Sequence, residues 1–296
     1  MAADRDTQRA SNATTDQGVN APIFGLDAYS LREVAMRVQD SGVAKARRPA
    51  LATAMLGVLA GAYIGFAALA FTLITSDTTL GFAWSRVLGG LSFSLGLILV
   101  VVAGTELFTG NNLLVMAWAD RRISTAEVAR NWALVFVTNA VGATGLVVLV
   151  LLSGHMQMNG GAVAVNAVKI ATAKVSLPFW EAFFRGILCN VLVCMAVWLS
   201  MAGRTVTDKI LAVIFPITAF VAAGFEHSIA NMYFIPLGIL VKHQVPGAAA
   251  SLDWSGYAAN LLPVTLGNIV GGGVLVALVY FVIYRLATPG GAAEKP

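Results

Sequence analysis

Two short polar patches interrupt long apolar runs, and the side chains able to do chemistry collect in them. The first is Gly104-Thr-Glu-Leu-Phe-Thr-Gly-Asn111; the second is Gly224-Phe-Glu-His-Ser-Ile-Ala-Asn231. His227 is the one histidine inside such a run, whereas His155 and His243 fall in flanking loops. An imidazole changes charge near neutral pH, so it can accept, donate or hold a proton there. Thr109 can donate to or accept from that ring and fix its tautomer, or cap freed backbone groups. Glu106 and Glu226 are either acids on a pathway or acceptors for amides freed where a helix breaks; the need for such acceptors favours a scaffold.

Apolar residues frame these patches. Phe93 and Leu97 are four apart on one helical face, Leu107 and Phe108 lie inside the first patch, and Phe220 precedes the second. Each reads as ordinary packing or as part of a narrow greasy ring that excludes hydrated ions. Lys174, at the outer start of the fourth apolar segment, reads as an interfacial anchor or, beside a funnel mouth, as a charge that concentrates anions. A hydrolytic or metal site is a poor fit. No His-Glu-x-x-His occurs, one deep histidine cannot build a zinc site, and a Ser228 nucleophile would need its neighbour His227 to fold back onto it. Cys189 and Cys194 are five apart in an apolar helix and cannot easily bridge. No metal and no cofactor is expected.

The elements that must position these groups span a membrane. Of 296 residues, 58% are apolar and 11% charged, with mean hydropathy +0.78; a soluble domain carries about 25% charge. Six apolar segments are read at about 51–75, 84–119, 129–153, 177–202, 209–242 and 258–285. The second and fifth are too long: about 35 helical residues run about 52 Å against a hydrocarbon core of about 30 Å. Each must tilt or break, and each holds one of the polar patches.

The net charge of +4 follows the membrane rather than nucleic acid. Arg5, Arg9, Arg32, Arg37, Lys45, Arg47 and Arg48 precede the first segment. Arg121, Arg122, Arg130, Arg204 and Lys209 fall in two loops on the same side, and Arg285 and Lys295 follow the last segment. Both termini are therefore expected in the cytoplasm.

The chain also repeats itself. At an offset of 120, Gly104, Glu106, Gly110 and Asn111 fall on Gly224, Glu226, Ala230 and Asn231; at 129, Asn131 and Asn139 fall on Asn260 and Asn268. Three spans per copy is an odd number, so the copies should cross in opposite senses, with the site near the midplane where the breaks meet. The fold class expected is an all-α membrane protein of six transmembrane helices in an inverted three-helix repeat, helices two and five interrupted. Ahead of it, Ser30 and Glu33 have capping-box spacing, and Leu31, Val34, Ala35 and Val38 share a stripe. That helix lies along the inner membrane face, or acts as a lid over the cytoplasmic mouth. The division is a polar, disordered cytoplasmic tail over 1–25, the amphipathic helix over 26–48, the membrane domain over 49–287 and a tail over 288–296. No signal peptide is read in the first 20 residues.

Phe93-Ser-Leu-Gly-Leu-Ile-Leu, Glu106-Leu-Phe-Thr-Gly, Arg185-Gly-Ile-Leu-Cys-Asn-Val-Leu-Val-Cys and Gly224-Phe-Glu-His-Ser-Ile-Ala-Asn-Met resemble the formate/nitrite transporter family over about 30–285. The resemblance implies an aquaporin-like fold, although the paired Asn-Pro-Ala of aquaporins is absent. It implies a homopentamer with one pore per protomer in the bacterial cytoplasmic membrane. By motif position it makes His227 the central pore histidine and Thr109 its partner, Asn190 a pore-facing amide and Lys174 a vestibule lysine. Phe93, Leu97, Leu107 and Phe220 fall at its two constrictions. Asn231 and Asn268 join Glu106 and Glu226 as scaffold of the breaks, where a bare negative charge would repel an anion. Phe-Glu-His is closer to the formate channels; nitrite, hydrosulfide and lactate are the other substrates in view. His227 then either gives a proton so that neutral acid crosses, or holds a positive charge that stabilises the anion.

Overall fold

A computed structural model describes residues 27–247 and 249–286; the two predicted tails, 1–25 and 288–296, lie outside the described residues. The N-terminal helix α1 (Leu31–Ala46) starts at a capping box, with Ser30 and Glu33 bonded reciprocally. Then come α2 (Ala50–Thr75), α3 (Phe82–Ala103), a break, a 3₁₀ turn leading into α4 (Leu114–Ala119), and α5 (Thr125–Leu152). The second half repeats the order: α6 (Ala162–Val175), α7 (Phe179–Ala202), α8 (Val206–Ala223), a break, α9 (Ser228–Val241) and α10 (Trp254–Ile269). From Val270, α10 continues to the end of the described chain in wider π-helical turns, with a short α-helical stretch at Val279–Phe281.

Among the described residues, six helices are long and apolar enough to cross a membrane: α2, α3, α5, α7, α8 and the continuous run Trp254–Arg285. The second and fifth segments break where the polar patches stand. Gly104 (φ +74°) and Gly224 (φ +77°) end α3 and α8 in the left-handed conformation, which a residue without Cβ adopts at little cost.

The element missing from the sequence reading is α6. Its fourteen residues are too short and too polar to register as a span, yet it is the second copy's counterpart of α1. Pro178 opens α7 as Pro49 opens α2, at the same offset of 129. Lys174 therefore stands in the last turn of α6 rather than at the start of the fourth span. The stripe of α1 also faces protein: Val34, Ala35 and Val38 are buried in a cluster with Leu113, Met116, Cys194 and Trp198, while Leu31 is exposed.

α2 packs on α3 and α5, α3 on α8, and α7 on α8 and α10. The contacts are close. A Cβ on Gly142 would lie 1.9 Å from the Val58 carbonyl oxygen, and one on Gly271 would lie 2.3 Å from that of Ile187. Both glycines and both carbonyls are related by the offset of 129, so the repeat extends to how the helices touch. Helix α9 is buried on nearly every side, consistent with apolar residues all round it.

Candidate pore site

Each break frees backbone groups that lipid cannot satisfy, and an asparagine from the following span takes them up. Asn139 Oδ1 accepts from Phe108 N–H at 2.9 Å, and its Nδ2 donates to the carbonyls of Gly57 (2.7 Å) and Glu106 (2.9 Å). In the second copy, Asn268 accepts from Ser228 N–H at 2.9 Å and donates to the carbonyls of Gly186 (2.8 Å) and Glu226 (3.0 Å).

The carboxylates serve a second ring of bonds. Glu106 accepts from Asn111 Nδ2 (2.6 Å), from Lys45 Nζ (3.3 Å) and from Arg48; Asn111 also donates to Asn131 Oδ1 at 2.9 Å. Glu226 accepts from Asn231 Nδ2 at 2.7 Å and from Lys174 Nζ at 2.9 and 3.1 Å; Asn231 donates to Asn260 Oδ1 at 2.7 Å. The two glutamates thus receive side-chain cations and amides, while the freed backbone amides go to Asn139 and Asn268. Both carboxylates are buried and neutralised by a lysine from the helix that opens their copy.

His227 is buried at the start of α9, and both its nitrogens are engaged. Nδ1 accepts the Ala230 N–H at 3.1 Å, making the imidazole the N-cap of α9; Nε2 lies 3.0 Å from Thr109 Oγ1. An Nδ1 that accepts carries no proton, so Nε2–H donates to the threonine and the ring is neutral in this arrangement. Neither nitrogen bonds to Ser228, whose hydroxyl has no partner among the described residues, so no Ser–His dyad forms.

Aromatic rings collar the imidazole. Phe220 stacks on it at 6.0 Å, Phe93 meets Phe220 edge-on at 5.9 Å, and Phe234 stacks on Phe93 at 6.3 Å. A cavity of about 600 Å³ on the α6 side is lined by His227, Phe93, Phe220, Phe234, Lys174 and Glu226. A second, of about 250 Å³ on the α1 side, is lined by Leu97, Leu107, Lys45, Arg48 and Glu106. Thr109 lines neither cavity; it is bonded to a wall of one and flanked in sequence by Leu107 and Gly110, which wall the other.

Asn190, which the resemblance implies as a pore-facing amide, stands beside Thr109 between the two cavities. It is fully buried and lines neither cavity. Its Nδ2 contacts the Asn268 carbonyl (2.7 Å), Asn112 Oδ1 (2.8 Å) and the Thr109 carbonyl (3.2 Å), and Cys194 Sγ also approaches that carbonyl at 3.4 Å. Asn190 therefore holds the residue that holds the histidine.

The sequence profile described as Formate/nitrite transporter matches residues 32–282. The chain belongs to the formate/nitrite transporter family. Among curated members of this transporter family, it is 42% identical to the formate channel FocA of Escherichia coli (strain K12) over 259 residues, 83% of this chain and 91% of that protein. It is 39% identical to the formate channel FocA of Haemophilus influenzae over 254 residues, 81% of this chain and 89% of that one. A solved structure described as a pentameric formate channel with formate bound superposes with a TM-score of 0.73 at 38% identity, covering 79% of this chain and 97% of that one. These relatives are channels, not enzymes. Sequence reasoning about this transporter missed Lys45, Asn112 and Cys194. Lys45 carried a readable signal: a Lys-x-x-x-Pro pattern at Lys45–Pro49 that recurs at Lys174–Pro178.

Proposed function

We propose that the chain forms a membrane pore for small monovalent weak-acid anions, with formate as its substrate. One arrangement carries the reading: an imidazole–hydroxyl pair inside an aromatic collar, set where two interrupted helices meet and flanked by a cavity on either side. The relatives named as formate channels support the same substrate. The basic residues put both termini in the cytoplasm of a bacterial cell, so the α1-side cavity opens inward and the α6-side cavity outward. Three spans per copy make the two copies cross in opposite senses. The pentameric relative supports a homopentamer in the cytoplasmic membrane, with the exposed apolar faces turned to lipid or to neighbouring protomers.

An anion entering the collar loses water that Phe93, Phe220, Leu97 and Leu107 cannot replace, a cost of several kcal/mol. The imidazole of His227 is the polar group that lines the cavity at that step, with the Thr109 hydroxyl bonded to its Nε2. As a neutral ring, His227 can give a hydrogen bond through Nε2 but no proton. Both stronger roles, proton donor and held positive charge, begin with an imidazolium. The ring becomes one by taking a proton at Nδ1, which releases the Ala230 amide. Transport and the cap of α9 are therefore coupled through one nitrogen.

Uptake of labelled formate, nitrite, hydrosulfide and lactate into proteoliposomes at two pH values tests the substrate. Formate should enter fastest, and faster at the lower pH. Formate uptake no greater than in protein-free vesicles would overturn the proposal; faster nitrite or hydrosulfide would overturn the choice of formate.

A further inference from the structure

The α6-side cavity has one feature that the pore residues do not explain. Helix α8 ends at the break, where Phe220, Val221 and Gly224 line that cavity, and the C-terminus of a helix carries roughly half a negative charge. Arg86, in the first turns of α3, lies across that end. Its Nε donates to the Ala222 carbonyl at 2.9 Å and its Nη2 to the Val221 carbonyl at 2.7 Å. A Cβ on Gly224 would stand 3.1 Å from Nη2, so the guanidinium reaches the hinge glycine itself.

Two of the other cations of this wall are held in ion pairs. Lys174 is paired with both oxygens of Glu226, and Arg185 with Glu181 at 3.2 Å. Asp77, on the same cavity, accepts from the neutral Thr79 and so keeps its negative charge, which the cations of the mouth outnumber. Lys169 is exposed, without an ion pair among the described residues, and stands on α6 rather than at the end of α8. Arg86 bonds only to neutral carbonyls, so it keeps a full positive charge at the mouth. The first copy has no equivalent among the described residues: Val101 and Val102 stand at the offset of 120 from Val221 and Ala222, and no side chain donates to their carbonyls.

We propose that Arg86 is an anion-attracting residue of the outer binding site, converting the carbonyl end of α8 from a repulsive into an attractive surface for the anion. The inference rests on the anion-pore reading above. It separates charge from structure, because a glutamine at this position can still donate to the carbonyls but carries no charge, whereas a lysine keeps the charge.

Formate uptake against concentration, in proteoliposomes of wild type, Arg86→Gln and Arg86→Lys at low and high salt, tests it. In about 20 mM salt, Arg86→Gln should raise the half-saturating formate concentration about tenfold. In about 0.5 M salt the gap should close to under about twofold, because charge is screened. Arg86→Lys should stay within about twofold of wild type at both salts. Matching melting temperatures and oligomer profiles exclude misfolding. Arg86→Gln behaving as wild type at low salt overturns the inference alone. So does a loss shared by Gln and Lys that salt leaves unchanged, since that marks a purely structural clamp. A wild type that carries no formate overturns the anion-pore reading and this inference with it.

Discussion

Asn139 and Asn268 do the least conspicuous and most necessary work among the single residues. Each amide holds the backbone on both sides of a break, where neither water nor a helix can. Asn139→Ala would leave Phe108 N–H and the Glu106 carbonyl unpaired in a buried setting, at a cost of about 2–5 kcal/mol. A thermal melt of the purified protein in detergent should register this as a large drop, against little change for an exposed control such as Val137→Ala. His227 and Thr109 could be read from sequence because polar side chains stand out against apolar runs. Asn190 could be named only through the resemblance, and its actual contacts could not, since three of its acceptors lie 78 to 81 positions away. The lysine partners of Glu106 and Glu226 were hidden for a similar reason. Lys45 looks like one more basic residue of an amphipathic helix until the fold brings it to a carboxylate.

Among the elements, the spans were the easiest to read and the short helices the hardest. Long apolar runs report themselves by composition, and both breaks declared themselves by excess length and by glycine. Helix α6 did not, because fourteen residues of mixed polarity resemble a loop until their partner α1 is recognised. The crossing of α2 and α5 was partly legible: the run Asn139-Ala-Val-Gly142 repeats in the second half, but which backbone Gly142 touches was not readable. With a Cβ placed 1.9 Å from a carbonyl oxygen, Gly142→Ala must push the two helices apart. Overpacking of this kind costs about 1–3 kcal/mol. Because α5 carries Asn139, the same displacement should loosen the first break. Hydrogen exchange over residues 104–110 should rise in this variant, while residues 224–230 stay protected.

For the molecule as a whole, two copies of one bonding scheme meet with different residues at the junction. Offset by 120, Leu107 stands in the first copy where His227 stands in the second, so a symmetric scaffold presents one apolar and one titratable side chain. On the pore reading proposed above, the imidazole is the pH-sensitive element of an otherwise greasy passage. His227→Asn tests this most directly, since asparagine is also a good N-cap and preserves the start of α9. Formate uptake should be measured in proteoliposomes from about pH 5 to pH 8, where histidine titrates. The wild-type rate should change with pH, and the variant should show a rate that is lower and nearly flat. A variant that keeps the wild-type dependence on pH would contradict the role assigned to His227.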